Sequence, residues 1–357
     1  MNFGNRYGTL DRMLYRIAFR SGTAQHALAD AEQALYADTL EEVTVEDPVF
    51  ITALPRAGTT ILLKLLWQTN HFASHTYQDM PFVLAPVLWS RYSEQFGDDV
   101  EATERAHGDG LKVSGHSPEA FEEMVWKQFW TEHYRQDHIR PWGPDDQNAE
   151  FDSFFRQHMR KVVAVRRSRT NGATRYLSKN NLNIARLAAP PAPLREGTFV
   201  IPFRDPLQQA ASMKRQHERF LEIHEEDDFV REYMEAIGHH EFGKGLKPVN
   251  FNGWLDDAPD PEALAFWVQY WTAAYRFVLE HASSSALLIA YDSLTEDPEP
   301  ALSALERGLD LPEGRLVSQA GQLRPPRSHS VDSEALPNPV RNDASDLYQH
   351  LRQEATA

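Results

Sequence analysis

Apolar positions along the chain follow two periods, and their alternation predicts the architecture. Residues 49–54, 175–178, 198–203 and 286–291 are short apolar runs of strand length. Helical spacing marks 10–38, where Leu14, Ile17, Leu28 and Leu35 share a face, and also 59–68, 118–133, 151–167, 206–220, 262–281 and 298–309. Residues 222–235 are acidic and helical, and read as a mobile cap. Residues 80–92 are apolar and aromatic enough to wall a pocket or bury against the core. Strands alternating with helices predict an α/β fold of three layers, a mostly parallel sheet with helices on both faces and helical cap elements. Ligands of such sheets bind beyond the carboxyl ends of the strands.

Two strand-to-helix corners carry anion chemistry. In the first, Pro55-Arg56-Ala57-Gly58-Thr59-Thr60 turns the strand into a leucine-rich helix. Backbone N–H groups at the helix start, the helix dipole, the Arg56 charge and the Thr59 and Thr60 hydroxyls all favour a bound anion. A nucleoside-triphosphatase P-loop needs Gly-x-x-x-x-Gly-Lys-Ser/Thr. Here Ala53 stands at the first glycine and Thr59 at the lysine, so the loop is P-loop-like but poorly built for ATP. In the second corner Arg204 ends a strand, Asp205 caps the following helix, Pro206 suits its first turn, and Ser212 follows eight positions after Arg204.

With both corners in this order, the chain resembles the sulfotransferases that use 3'-phosphoadenosine 5'-phosphosulfate (PAPS), particularly the bacterial members. Their first motif reads Pro-Lys/Arg-Ser-Gly-Thr-Thr, and their second opens Arg-Asp/Asn-Pro with a serine eight residues after the arginine. Tyr291-Asp292-Ser293-Leu294 is similar to the family's Tyr-Glu-Asp-Leu, and Ser178-Lys179-Asn180 to a Lys-Asn-Pro segment. The likeness spans about residues 45 to 310.

The resemblance implies sulfuryl transfer from PAPS, leaving PAP, to a hydroxyl or amine of a small or lipid-like acceptor. Arg56, Ala57, Gly58, Thr59 and Thr60 would hold the 5'-phosphosulfate, with Arg56 offsetting charge on the bridging oxygen. Arg204 and Ser212 would hold the 3'-phosphate, Tyr291 would approach the adenine, and Lys179 and Arg327 would add positive charge. Asp79 stands where carboxylate-using relatives place their general base, and His75 is the histidine alternative; a helix cap is the other reading of Asp79. His107 and His116 are secondary candidates. Ala57 departs from the family serine, and the family's glycine-rich tail motif is absent; Arg324-Pro-Pro-Arg327-Ser-His329 is the basic segment in a comparable place, and reads either as the source of a late phosphate ligand or as an exit loop. A P-loop kinase or NTPase, and a non-catalytic PAP-binding protein, stay open as alternatives.

Composition narrows the partners. The chain has 357 residues, 41% hydrophobic and 11% aromatic, enough for one large domain: an N-terminal helical extension over 1–45, a core over 46–310 and a tail over 311–357. A net charge of −16 argues against nucleic acid or anionic membrane as partner. No apolar run reaches the ~18 residues of a membrane span, and charges at Arg6, Asp11, Arg12 and Arg16 argue against a secretory signal. Without cysteine, a cytoplasmic location is expected. A homo-oligomer stays open, because interface and core give the same apolar pattern. No metal is expected; His239-His240-Glu241 is the nearest approach to ligand spacing and reads as structural. Against the acidic background, residues 153–195 hold ten Lys or Arg and no Asp or Glu, either a solvated basic face or a partial nucleotide lining.

Overall fold

The computed structural model describes residues 22–93, 115–167, 172–332 and 336–356, together with residues 12, 15, 16, 18, 19, 103, 104, 112, 113 and 334. His107, Leu14 and Ile17 lie outside the described residues. Five strands form one parallel sheet: β1 (Val49–Ile51), β2 (Phe72–Ala73), β3 (Arg175–Lys179), β4 (Thr198–Phe203) and β5 (Leu287–Ala290). Their spatial order is β2-β3-β1-β4-β5. The chain leaves β1 toward β2 and β3 on one side, then crosses to β4 on the other. The carboxyl end of β1 is therefore the switch point, where a crevice opens in sheets of this kind.

The strand sequences cover both faces because alternate side chains point opposite ways. Val49, Ile51, Leu177, Val200 and Ile289 bury on one face, against Leu62, Leu63, Leu65 and Leu66 of α2 (Thr59–Gln68) and Leu302 and Leu305 of α9 (Pro298–Gly308). Phe50, Tyr176, Phe199, Ile201 and Leu288 bury on the other. They pack there with α5 (Ala149–Arg166), α6 (Pro206–Glu226), α8 (Leu264–His281) and the C-terminal helix α10 (Asn338–Glu354). Two covered faces make three layers. Each fully buried leucine contributes about 1.5–3 kcal/mol, which fixes the sheet beneath the crevice.

A third, smaller core joins α1 (Gly22–Leu35), α4 (Glu123–Phe129) and the segment before α3 (Pro86–Ser93), through Ala29, Val83, Leu84, Phe121 and Met124. Several boundaries differ from the periodic reading. Expected strand 49–54 stops at Ile51, because Leu54 and Pro55 give their carbonyls to Gln209 rather than to a neighbouring strand. The expected helix over 118–133 shrinks to α4. Its first part is held extended by a bridge between Thr76 and Pro118 and by the Glu119 N–H bond to the His75 carbonyl. The acidic stretch 222–235 is two helices, broken where Asp227 caps α7 (Asp228–Ala236), and Phe229, Val230 and Met234 are buried.

Candidate active site

Both predicted corners form at the carboxyl end of the sheet. The first loop is shaped by Gly58, at φ +96°, which is also the N-cap of α2 and brings no side-chain acceptor to the first-turn N–H groups. A Cβ at Gly58 would lie 2.3 Å from the Tyr291 ring, so this position needs glycine for both its backbone and its space. Arg56 also adopts a left-handed backbone, φ +70°, a conformation that disfavours side chains. Its Nε donates to Ser212 Oγ at 3.1 Å, across 156 residues. Beneath, buried Gln209 donates to the carbonyls of Leu54 and Pro55 and accepts from Trp271 Nε1, which fastens the loop to α6 and α8.

The second corner is built as its sequence indicates. Asp205 Oδ1 accepts from the Gln208 N–H at 2.9 Å, and Pro206 opens α6. Arg204 is 5% exposed. Among the described residues its guanidinium makes one hydrogen bond, from Nη2 to the Arg327 carbonyl at 3.1 Å, and no ion pair. Burial acts to lower its pKa, while Asp292 and Tyr291 act to raise it. A guanidinium stays charged regardless, and four of its five donors have no protein acceptor among the described residues. A buried guanidinium that feels Asp292 only at a distance and makes no ion pair fits a bound anion.

Tyr291 starts a short helix, Tyr291–Glu296, immediately after β5, and its ring covers Gly58. Burial raises its pKa, opposed by the nearby Arg204 and Arg56. Lys179 ends β3 in register with Ile51 and is buried at the same edge of the sheet. Arg327 reaches the site through its carbonyl, and its side chain is exposed.

The structure also aligns Ser212 with two residues that the motifs did not single out, Gln208 and Arg215. Gln208, Ser212 and Arg215 lie at i, i+4 and i+7, one stripe of α6. Gln208 exchanges two hydrogen bonds with the main chain of His329, and Arg215 Nη1 donates to His329 Nδ1 at 3.2 Å. The helical stripe was available in the sequence, and so was the tail segment that ends at His329; their contact across more than a hundred residues was not.

His75 and Asp79 sit elsewhere. They follow β2, two strands from β1 or roughly 10 Å in sheet spacing. Asp79 closes a capping box with Thr76, whose N–H donates to Oδ2 at 3.0 Å, and His75 Nδ1 shares the same oxygen at 2.8 Å. Arg166 takes the other oxygen. Burial pushes the Asp79 pKa up, but the Arg166 guanidinium, His75 and the Thr76 N–H outweigh it and hold the carboxyl below its usual range. Nε2 of His75 meets Nε2 of buried His158 at 2.8 Å. A carboxylate with both oxygens engaged and a depressed pKa is a poor proton acceptor. The cap reading describes it. His116 is partly exposed in the turn before Pro118.

The described cations of residues 153–195 divide: Arg167 and Arg195 are exposed and Arg156, Arg160 and Arg175 partly so, while three are buried in ion pairs. Lys161 pairs with Glu32, Arg166 with Asp79 and Arg186 with Glu123, all buried. Of the His239-His240-Glu241 run, His239 bonds the Ala120 carbonyl and Glu241 accepts from Asn181. No group of three or more potential metal ligands occurs among the described residues, and no described helix is long and apolar enough to cross a membrane.

Residues 48–242, more than half of the chain, match the sequence model described as "Sulfotransferase family". No curated protein is significantly similar to the chain. Among solved structures, sulfotransferase STF9 from Mycobacterium avium is 15% identical, covering 89% of this chain and 81% of its own, with a TM-score of 0.46. Sulfotransferase STF1 from Mycobacterium tuberculosis H37Rv is 14% identical, covering 93% and 85%, with a TM-score of 0.44. The sulfotransferase domain of the Synechococcus PCC 7002 olefin synthase is 12% identical, covering 87% and 96%, with a TM-score of 0.37.

Proposed function

From the premise that the chain belongs to the sulfotransferase family, we propose that it transfers a sulfuryl group from PAPS to a hydroxyl or amine of a small or lipid-like acceptor. The observation that carries this reading is the Arg56–Ser212 hydrogen bond. It joins the loop that suits a 5'-phosphosulfate to the helix that suits a 3'-phosphate, at the switch point of the sheet. One anion-binding corner is common; two, fused at a spacing set by a single side-chain contact, suit a nucleotide phosphorylated at both ends.

When bound, PAPS supplies an activated sulfuryl group on a phosphate leaving group. The protein's part is to position and to stabilise charge. First-turn amides of α2 and the hydroxyls of Thr59 and Thr60 would hold the 5' end, and Gly58 lets the chain come close to it. Arg56, fixed by Ser212, would offset the negative charge that grows on the leaving oxygen, as cationic clamps do in phosphoryl transfer. Arg204 would hold the 3'-phosphate together with Ser212, and the cost of burying Arg204 without a carboxylate falls when that phosphate arrives. Lys179 would add charge from β3. Tyr291, packed on Gly58, would bound the nucleotide on the β5 side. Asp79 and His75 are assigned here to support rather than to proton transfer.

Calorimetric titration with PAP, 5'-AMP and ATP tests the reading. PAP should bind at micromolar concentration or tighter, and well over tenfold more tightly than 5'-AMP. Equal affinity for PAP and 5'-AMP would remove the 3'-phosphate site, and preference for ATP would point to phosphoryl rather than sulfuryl chemistry.

A further inference from the structure

The C-terminal helix reaches the nucleotide corner through one hydroxyl. Tyr348, on α10, donates from its OH to Asp292 Oδ2 at 2.6 Å, across 56 residues. Its ring is held independently, edge-on to Phe203 at 6.0 Å and to Trp271 at 6.4 Å between centroids. The chain just past α10 is tied down as well, because the Thr356 N–H donates to the Leu288 carbonyl of β5. Burial raises the Tyr348 pKa and the Asp292 carboxylate raises it further, so the hydroxyl keeps its proton and donates.

Asp292 stands where it could undo the corner it borders. Phe203 of β4 pairs with Ala290 of β5, so Arg204 and Tyr291 leave the sheet side by side. Asp292 is the next residue, and its charge is the largest attraction that Arg204 feels. Yet the two form no ion pair, and among the described residues the Asp292 side chain has one hydrogen bond, from Tyr348. A carboxylate that met Arg204 would occupy donors a phosphate needs and would repel a dianion as it entered. The charge-assisted bond from Tyr348 instead fixes one oxygen of Asp292 and draws part of its charge toward the hydroxyl.

We propose that Tyr348 is a positioning residue of the nucleotide site: it keeps the Asp292 carboxylate off Arg204 and so leaves that guanidinium to the phosphate. The inference rests on the nucleotide reading above. Neither Tyr348 nor Asp292 touches the ligand; together they set how much positive charge Arg204 presents. The C-terminal helix, which lies outside the matched residues 48–242, thereby completes the site.

The test is calorimetry on the full chain with PAP and with 5'-AMP, for the wild type, Tyr348→Phe, Asp292→Asn and the double variant. Tyr348→Phe keeps the ring and its packing but frees the carboxylate. It should weaken PAP about fivefold, the order of one hydrogen bond, and leave 5'-AMP unchanged. Asp292→Asn, similar in size and uncharged, should bind PAP at least as tightly as the wild type. In the double variant the loss caused by Tyr348→Phe should disappear, because no carboxylate remains to compete. A merely structural tyrosine would not give that suppression. Unchanged PAP affinity in Tyr348→Phe overturns the inference, and so does a double variant as weak as Tyr348→Phe alone. If Tyr348→Phe does not fold, Asp292→Asn still decides, since PAP binding weaker than in the wild type overturns the inference. A wild type with no preference for PAP over 5'-AMP fails earlier and by a different readout, since it removes the nucleotide reading itself.

Discussion

Two regions of this protein bury arginine, and they do so in opposite ways. Along α5 and after β3, three buried cations each have their own carboxylate: Lys161 has Glu32, Arg166 has Asp79 and Arg186 has Glu123. Arg186 is also clasped between the rings of Trp126 and Trp142, 3.6 and 4.3 Å from their centroids. At the crevice, Arg204 is almost as buried but among the described residues hydrogen-bonds only the Arg327 carbonyl and forms no ion pair, with Asp292 acting on it at a distance, and Arg215 donates to a histidine. Both regions read as basic in sequence. The difference lies in where neutralisation comes from. A cation neutralised by the chain is part of the scaffold; a cation left over is held for something that arrives. Counting positive charges does not separate the two, and finding their partners does.

The largest effect should come from removing one half of a scaffold pair. Asp79→Asn leaves the Arg166 guanidinium buried without its counter-charge, and a broken buried pair typically costs about 3–5 kcal/mol. Chemical denaturation should show that loss. PAP affinity and turnover per folded molecule, measured well below the melting temperature, should stay within a few-fold of wild type. Turnover reduced a thousandfold at unchanged stability would reverse the comparison and return Asp79 to the role of general base.

Arg204→Ala should do the opposite. It removes a buried charge that no carboxylate pairs with directly, so thermal stability without ligand should hold or rise slightly. PAP binding should weaken by about 1.5–3 kcal/mol, the range for a hydrogen bond to a charged group. Calorimetry and a melting curve on one preparation check both parts. Undiminished PAP affinity, or a melting temperature that falls as it does in Asp79→Asn, would place Arg204 in the scaffold class.

How much of this was legible in the sequence follows the range of each contact. The first loop, α2, the Asp205 cap and the Arg204–Ser212 spacing are local, and each was readable from neighbouring residues. The three-layer sheet followed from period-two burial of residues such as Phe50 and Ile51. The partners that sort the arginines are remote: Glu123 precedes Arg186 by 63 residues, and His329 follows Gln208 by 121. Residues 153–195 have no acid of their own, so the sequence offered no hint that their cations were already matched. Position in the chain likewise put Asp79 near the first helix, while its capping box and Arg166 turn it into the scaffold.

Acid offers the smallest and most graded way to sharpen the contrast, because it makes new buried cations of the uncompensated kind. His217 and His224, two and nine residues beyond Arg215 on α6, accept backbone N–H groups at Nδ1, from Gly243 at 3.1 Å and Lys244 at 3.2 Å. An acceptor nitrogen cannot be protonated and keep its bond. Burial lowers both pKa values first; Lys214 lowers His217 further and Arg231 and Lys244 lower His224, against Glu218, Asp260, Glu235 and Asp228. Folded values below the unfolded ~6.5 mean that the stabilisation is complete above that pH and is lost as pH falls through it toward the folded values. Each unit of such a shift is worth about 1.4 kcal/mol. The melting temperature should therefore drop between pH 7 and pH 5. His224→Asn, whose Oδ1 can accept in place of Nδ1 and does not titrate, should flatten part of that drop. A profile as steep in His224→Asn as in wild type would assign the acid sensitivity to other buried histidines, such as His158, whose pKa is also depressed by burial.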